Sequence, residues 1–247
     1  MTLYLLGTGA AVSDPHRTTT MLAVSDGAST IAVDCGGDLV QRLLAAGLDL
    51  DTLDAVVLTH EHPDHVSGFP LVMEKLWLAG RRRPLPVYGP KTALSQARRI
   101  FEQFDTSGWD GLPEIRWREV EMEPGAEVMT SDAWTVTAAP VEHSVPTIGL
   151  RFESANGRTV AYSADTAPSE HVVGLARDAD VLVHEATGHM PGVHASAEEA
   201  AELAARAGAG RLLLVHLPPG LSEDDLGDAR ARFPETELAE ELGAVEL

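Results

Sequence analysis

The stretch Thr59-His60-Glu61-His62-Pro63-Asp64-His65 decides the reading of this chain. It follows directly on Ala55-Val56-Val57-Leu58, an apolar run with the composition of a buried strand. A strand end that breaks into a tight turn can aim several side chains into one pocket. Three imidazoles and one carboxylate, His60, His62, Asp64 and His65, suit a borderline metal such as zinc. One ion cannot easily take all four from so short a loop, and dividing them between two adjacent ions relieves the geometry. Pro63 stiffens the turn and Gly68 closes it.

Further ligands stand at other strand ends. His143 follows Val136–Val141, Asp165 follows Val160–Ala164, and His216 follows Leu212–Val215. Each alone has an ordinary reading, as a satisfied loop histidine or a helix-capping aspartate. Together they terminate apolar strands as the first motif does, and residues at one sheet edge can converge on a common site. Two divalent ions there, zinc by preference and manganese as the alternative, would bring the pKa of bound water to around 7.

The rest of the chain alternates strands with amphipathic helices. Strands are expected at Leu3–Leu6, Met21–Val24, Ile31–Asp34 and Ala55–Thr59, then at Ile115–Val120, Trp134–Ala138, Thr147–Phe152, Thr159–Ser163, Val181–His184 and Leu212–His216. Helices are expected at Asp38–Ala46, ending at Gly47, and at Val66–Leu78 and Thr92–Phe104. Ser196-Ala-Glu-Glu199 is a capping box that opens an Ala-rich helix ending at Gly208, and Ser222 caps a last surface helix. No linker, repeat or low-complexity segment divides residues 1–247, which are expected to form one α/β domain with two strand clusters face to face.

Composition sets limits. With 44% hydrophobic residues the chain can build a core, and no apolar run is long enough to span a membrane. The apolar start, Met1–Leu6, is too short for a signal peptide and lacks a basic leader, so a cytoplasmic protein is expected. Cys35 is the only cysteine; an intrachain disulfide is excluded and a buried small hydrophobe is expected. The net charge of −20, from 38 acidic and 18 basic residues, repels polyanions at long range. The one dense basic run, Arg81-Arg82-Arg83, reads as a solvated helix end or as a phosphate handle. His16-Arg17 is a second candidate phosphate contact; His171 and His189 have no assigned role. Gly7-Thr-Gly9 lacks the third glycine of a dinucleotide fingerprint, since Val12 stands there.

The chain resembles the metallo-β-lactamase superfamily and, within it, the ribonuclease Z-like branch. The matching pieces include Gly7–Ala11, Asp34-Cys-Gly36, Thr59–Gly68, Pro86–Pro90, His143–Pro146, Tyr162–Asp165, His184-Glu-Ala-Thr187, His194-Ala-Ser196 and Val215-His216. The resemblance implies an αββα four-layer sandwich of two mixed β-sheets with helices outside. It implies His60, His62 and His143 on one ion, Asp64, His65 and His216 on the other, and Asp165 bridging. It also makes Glu185 and His194 a proton-delivery pair, so that Asp64, Glu185 and His194 are the candidate catalytic residues. His184 is expected behind the site rather than as a ligand. The implied activity is phosphodiester hydrolysis, and the implied assembly is a homodimer.

The chain departs from the family pattern in two places. The tRNA-processing members carry a long arm between the positions of His143 and Asp165, and only residues 144–164 separate them here, filled by a hairpin around Asn156-Gly157. His216 is followed by Leu217-Pro218-Pro219 where the family usually has Phe-Ser. The expected substrates are therefore small or flexible phosphodiesters, such as cyclic nucleotides and short oligonucleotides. Cleavage at RNA 3′ ends, as in tRNA 3′ processing, is the alternative, and hydrolysis of a lactone, thioester or sulfate ester on the same metals is the next.

Overall fold

The computed structural model describes residues 1–247. Six strands come first: β1 (Thr2–Gly7), β2 (Met21–Ser25), β3 (Thr30–Val33), β4 (Leu53–Val57), β5 (Leu85–Gly89) and β6 (Ile115–Glu119). Seven follow in the second half: β7 (Ala126–Thr130), β8 (Trp134–Pro140), β9 (Ile148–Ser154), β10 (Thr159–Tyr162), β11 (Val181–Glu185), β12 (Leu212–Val215) and β13 (Thr236–Leu238). The last strand, β14 (Gly243–Glu246), returns to pair with β1. One sheet runs β14-β1-β2-β3-β4-β5-β6 and the other β13-β12-β11-β10-β9-β8-β7. The helices are α1 (Leu39–Ala45), α2 (Pro63–Val66), α3 (Phe69–Leu78), α4 (Lys91–Phe101), α5 (Glu170–Leu175), α6 (Ala197–Ala207) and α7 (Gly227–Arg232).

Three apolar layers hold this arrangement. Between the sheets, Leu5, Val33 and Val57 meet Val136, Phe152, Tyr162 and Val183. Alternate residues of the same strands, Ala32 and Val56, face outward onto Leu39, Leu43, Phe69 and Leu76. Behind the other sheet, Leu182 and Leu214 pack on Ala200, Ala201 and Ala204 of α6. Small side chains there let the helix approach the sheet closely. The result is the αββα sandwich expected from the sequence. Interior strands covered on both faces, such as β2, β11 and β12, are buried at every residue, while edge strand β6 alternates apolar and charged side chains over Ile115–Arg118.

Local signals set several boundaries as expected. Asp38 caps α1 by accepting from the Gln41 amide. The Ser196–Glu199 capping box is formed, and Gly208 ends α6 at φ 69°. The Asn156-Gly157 turn closes the β9–β10 hairpin, with Gly157 at φ 82°. Cys35 is buried, and burial, reinforced by Asp34, pushes its thiol pKa up.

Other expectations are corrected. The helix read over Val66–Leu78 is two helices broken at Ser67-Gly68. The reason is backbone contact: the Gly68 amide donates to the Cys35 carbonyl, and the Cys35 amide to the His65 carbonyl, both at 2.8 Å. A Cβ on Gly36 would lie 1.6 Å from the Asp64 carbonyl oxygen, so the turn after β3 fits against α2 only as glycine. The helix read to Phe104 ends at Phe101, and the chain continues in single turns. Ser222 opens a 3-10 turn, Glu223–Leu226, ahead of α7. The elements β5, β7, β13, β14 and α5 were not expected; each is short, and β5, β13 and β14 are defined by pairing with strands far away in the chain. No helix is long and apolar enough to cross a membrane.

Candidate metal centre

Strands β3 to β6 run parallel, and so do β10 to β13. The candidate residues stand at the carboxyl ends of these strands, where open α/β sheets bind ligands. His60 follows β4, Asp165 follows β10, Glu185 ends β11 and His216 follows β12. His143 follows β8, which runs in the same direction as β10 because both are antiparallel to β9. The helix α2 adds Asp64 and His65, with His62 as its N-cap residue. Three non-glycine residues at these strand ends are left-handed: Asp34 at φ 60°, Ala164 at φ 54° and His216 at φ 53°. Each such residue costs about 1 kcal/mol or more and persists only where its surroundings hold it.

Two ligand groups result. In the first, His60 Nε2 lies 3.1 Å and His143 Nε2 3.2 Å from His62 Nδ1. In the second, His65 Nε2 lies 3.5 Å and His216 Nε2 3.4 Å from Asp64 Oδ2. Asp165 joins them: its Oδ2 is 3.3 Å from His216 Nε2, 3.5 Å from His65 Nε2 and 3.8 Å from His60 Nε2. The structure thus brings all seven sequence-predicted metal residues together.

The hydrogen bonds behind the imidazoles test whether cations fit. Asp34 Oδ2 takes His65 Nδ1–H at 2.8 Å, and the Val193 carbonyl takes His143 Nδ1–H at 2.8 Å. Thr59 Oγ1 donates to Asp34 Oδ2, which leaves it to accept from His60 Nδ1–H at 3.1 Å. Thr187 Oγ1 likewise donates to the His216 carbonyl and accepts His216 Nδ1–H at 2.6 Å. With these four back nitrogens as donors, the front nitrogens of His60, His65, His143 and His216 present lone pairs toward His62 Nδ1 and the carboxylate oxygens. Such an array is repulsive unless positive charge sits within it. His65 Nε2 and Asp165 Oδ1 are buried with no hydrogen-bond partner. Back-side donation of this kind fixes the tautomer and aim of metal-binding histidines. The donor set fits divalent cations.

The electrostatics agree. Burial opposes charge on His65, but Asp165 and Asp34 outweigh it and hold its pKa well above the usual histidine value. Burial, with His65 close by, pushes His60 the other way. Burial also opposes ionisation of Asp165, and His216, His65 and His60 overcome it, holding the carboxyl well below its usual range. The cluster therefore keeps its acids ionised and draws positive charge.

Glu185 and His194 are also brought together. His194 Nδ1 lies 2.7 Å from Glu185 Oε1. The fully buried Glu185 also accepts from the Thr166 amide at 3.0 Å and the Thr187 amide at 2.9 Å. The His194 ring stacks 5.6 Å from His216 and lies 5.2 Å from His143, at the mouth of the cluster. Burial disfavours its charge, but the bond to Glu185 raises its pKa above the usual value. His184 is buried behind the site, with Nδ1 facing the Glu185 carbonyl.

The remaining candidates do not reach the site. Arg81 is buried and clamps the carbonyls of Arg83, Leu53 and Pro84, while Arg83 pairs with Asp54. Arg81 is thus structural, whereas Arg82 and Arg83 stay exposed beyond the end of α3, as a solvated helix end would be. Arg17 binds Thr8 Oγ1 and the Ala239 carbonyl. His171 faces the Pro140 carbonyl and the exposed His189 pairs with Glu199. Conversely, sequence reasoning gave Asp34 and Thr187 no role, although both stood within motifs already singled out.

Residues 29–217 match the family model described as a beta-lactamase superfamily domain. Ribonuclease Z from Mycobacterium bovis is 34% identical over 244 aligned positions, covering 88% of this chain and 86% of that protein. Ribonuclease Z from Methanosarcina mazei is 27% identical over 303 positions, covering 99% and 97%. The crystal structure of the short form of human tRNase Z superposes with a TM-score of 0.81 at 22% identity, covering 100% of this chain and 99% of that one, a likeness of fold. The chain belongs to the metallo-β-lactamase superfamily, in its ribonuclease Z-like branch, a group of metal-dependent hydrolases.

Proposed function

We propose that this chain is a dinuclear phosphodiesterase that hydrolyses small or flexible phosphodiesters, such as cyclic nucleotides and short oligonucleotides. The observation that carries the reading is a pair of ligand groups joined by Asp165, with the Glu185–His194 pair at their mouth. His60, His62 and His143 would hold one ion, and Asp64, His65 and His216 the other. When bound, two divalent ions, zinc foremost or manganese, bring the pKa of coordinated water near 7 and draw charge from phosphoryl oxygens. The chain's own residues supply the rest. Asp34 and Thr187 hold His65 and His216 in the lone-pair-forward tautomer. Glu185 orients His194 and favours its protonated form, and His194 gives that proton to the leaving oxygen.

Two features favour small substrates over tRNA. The β9–β10 hairpin turns over Ala155–Gly157, so no arm extends between His143 and Asp165. The alignment with the Methanosarcina mazei enzyme spans 303 positions against 247 residues here, so at least 56 residues of that protein have no counterpart. The second reading, pre-tRNA 3′ processing, is favoured by the 34% identity to a ribonuclease Z. Side-by-side kinetics on bis-p-nitrophenyl phosphate, cyclic nucleotides, a pre-tRNA and a lactone separate the readings. Small phosphodiesters are expected to show much higher kcat/KM than pre-tRNA. Efficient cleavage of pre-tRNA at its 3′ trailer, with steep salt dependence and little action on small diesters, would reverse the order. Preference for the lactone would move the reaction class.

Elemental analysis of protein purified without chelator is expected to find about two ions per chain. A value held at or below one after zinc or manganese is supplied defeats the dinuclear assignment. The proposed setting is the cytoplasm and the proposed partner a second copy of the chain. An apolar groove of about 310 Å³ between α3 and α4, with Leu71, Phe104 and Trp109 in its wall, favours such self-association.

A further inference from the structure

We propose that Glu241, in the turn between β13 and β14, is a positioning residue for the metal centre: its carboxylate fixes the loop after β1, and that loop holds the backbone of His216. This rests on the two-ion reading above and adds to it a residue outside both ligand groups.

The first observation is a carboxylate with all its acceptor positions taken. Glu241 Oε2 accepts from the Thr8 amide at 3.0 Å and from the Thr8 hydroxyl at 2.7 Å. Glu241 Oε1 accepts from the Thr18 amide at 2.9 Å and from the Arg42 guanidinium at 2.7 Å. An ionised carboxylate offers about four lone-pair positions and no donor, so this cradle of donors fits Glu241 as an anion. Thr8 is fully buried, and its hydroxyl in turn accepts from Arg17 at 2.6 Å. Both arms of the β1–β2 connection, at Thr8 and Thr18, are thus gripped by one side chain. The arms are in close contact, since a Cβ on Gly7 would lie 2.0 Å from the Thr19 carbonyl oxygen. That contact accounts for the first glycine of Gly7-Thr-Gly9, which is no part of a dinucleotide site.

The second observation is what the gripped loop holds. The Leu217 amide donates to the Thr8 carbonyl at 2.9 Å, and the Ala10 amide donates to the Leu217 carbonyl at 3.1 Å. Leu217 follows His216, whose φ of 53° is left-handed. Such a backbone persists only where its neighbours impose it. Thr187 donates to the His216 carbonyl on one side, and Thr8 and Ala10 hold Leu217 on the other. The aim of the His216 imidazole at Asp64 and Asp165 depends on both supports.

The third observation is where Glu241 stands. The Ala239 amide donates to the Leu214 carbonyl of β12, and the Leu242 amide donates to the Leu5 carbonyl of β1. Residues 239–242 therefore cross from one sheet to the other. The sheet of β1 leads into His60, His62 and His65, and the sheet of β12 leads into Asp165 and His216. Glu241 thus ties together the two halves that each supply ligands. Anchoring of β14 does not account for it: that strand pairs with β1 from Gly243 onward, whereas the donors to Glu241 belong to Thr8, Thr18 and Arg42.

The test uses the full chain stripped of metal and titrated with zinc, the dissociation constants being read by competition with a chromophoric chelator. Glu241→Gln keeps the volume but turns an amide donor toward groups that are themselves donors. It is expected to weaken one of the two ions about tenfold, within the ~10–100-fold usual for groups that orient a ligand, and to leave the other within about twofold. Thr8→Val removes the hydroxyl that Glu241 holds and keeps the carbonyl that holds Leu217; it is expected to weaken the same ion. The two losses should not add in the double variant, because both break one contact. Val245→Ala is the control, since it loosens β14 opposite Leu3 and leaves residues 8–18 untouched. It should leave both constants near those of the parent. Two ions held by Glu241→Gln as tightly as by the parent, equal weakening of both ions, full additivity with Thr8→Val, or the same loss in Val245→Ala would overturn this inference and leave the two-ion reading standing. A parent that binds fewer than two zinc ions would overturn that reading itself.

Discussion

Asp165→Ala is expected to reduce hydrolysis of every phosphodiester by more than about 10³-fold, beyond the ~10–100-fold that changes in a group merely orienting a ligand usually cost. The carboxylate reaches residues of both ligand groups: His60 on one side, His65 and His216 on the other. Its removal deletes the one residue within reach of all three and is expected to lower metal content as well as turnover. Misfolding is separable from site loss. The surrounding histidines outweigh burial and hold the Asp165 carboxyl well below its usual range, so its loss removes a favourable folded-state charge and the metal-free variant is expected to melt lower than the metal-free parent while keeping its far-UV circular dichroism spectrum. Asp34→Ala provides the scale, because it removes the support of His65 and leaves every proposed ligand in place. Full activity in Asp165→Ala, or two tightly held ions per chain in it, would sink the bridging role.

The two substitutions differ in how visible their targets were in the sequence. His60–His65 and Asp165 could be read because each is a polar residue ending an apolar strand, a local pattern. The convergence of His143, Asp165 and His216 needed only the idea that parallel strands present their carboxyl ends to one edge. Asp34 was quoted in a motif but given no role, since its value lies in reaching His65 and Thr59 across a strand pairing that local sequence does not encode. Thr187 was overlooked for the same reason: its hydroxyl serves His216, which lies on another strand. The break at Ser67-Gly68 follows from carbonyl contacts made by residues 35 and 37, and helical periodicity ran straight through it. Arg81 showed the reverse failure. A run of cations suggests solvent or phosphate, yet backbone carbonyls from two loops converge on Arg81 and take its donors. Glu185 and His194 were legible only through the family resemblance, because a buried glutamate nine positions from a loop histidine carries no signal of its own.

That pair gives the second large effect. His194→Ala is expected to slow turnover by about 10²–10⁴-fold, the usual range for a positioned general acid, on substrates whose leaving alkoxide must be protonated. On p-nitrophenyl esters the loss should be small, because a nitrophenolate departs without a proton. The structure gives the contrast its physical basis. Glu185 is fully buried and accepts from the Thr166 and Thr187 amides as well as from His194, so the residue that orients the imidazole is itself fixed. His194 stacks against His216 at the mouth of the cluster, within reach of a leaving group there and outside the two main ligand groups. Glu185 Oε1, His194 and His216 also form a third group close enough to hold an ion. That arrangement predicts something different: if His194 were a ligand, its loss would lower metal content and slow both substrate classes by one common factor. The decisive comparison is therefore the ratio of the two losses at measured metal occupancy. A large ratio with two ions retained supports the proton donor, whereas a ratio near one, with or without metal loss, removes His194 from that role.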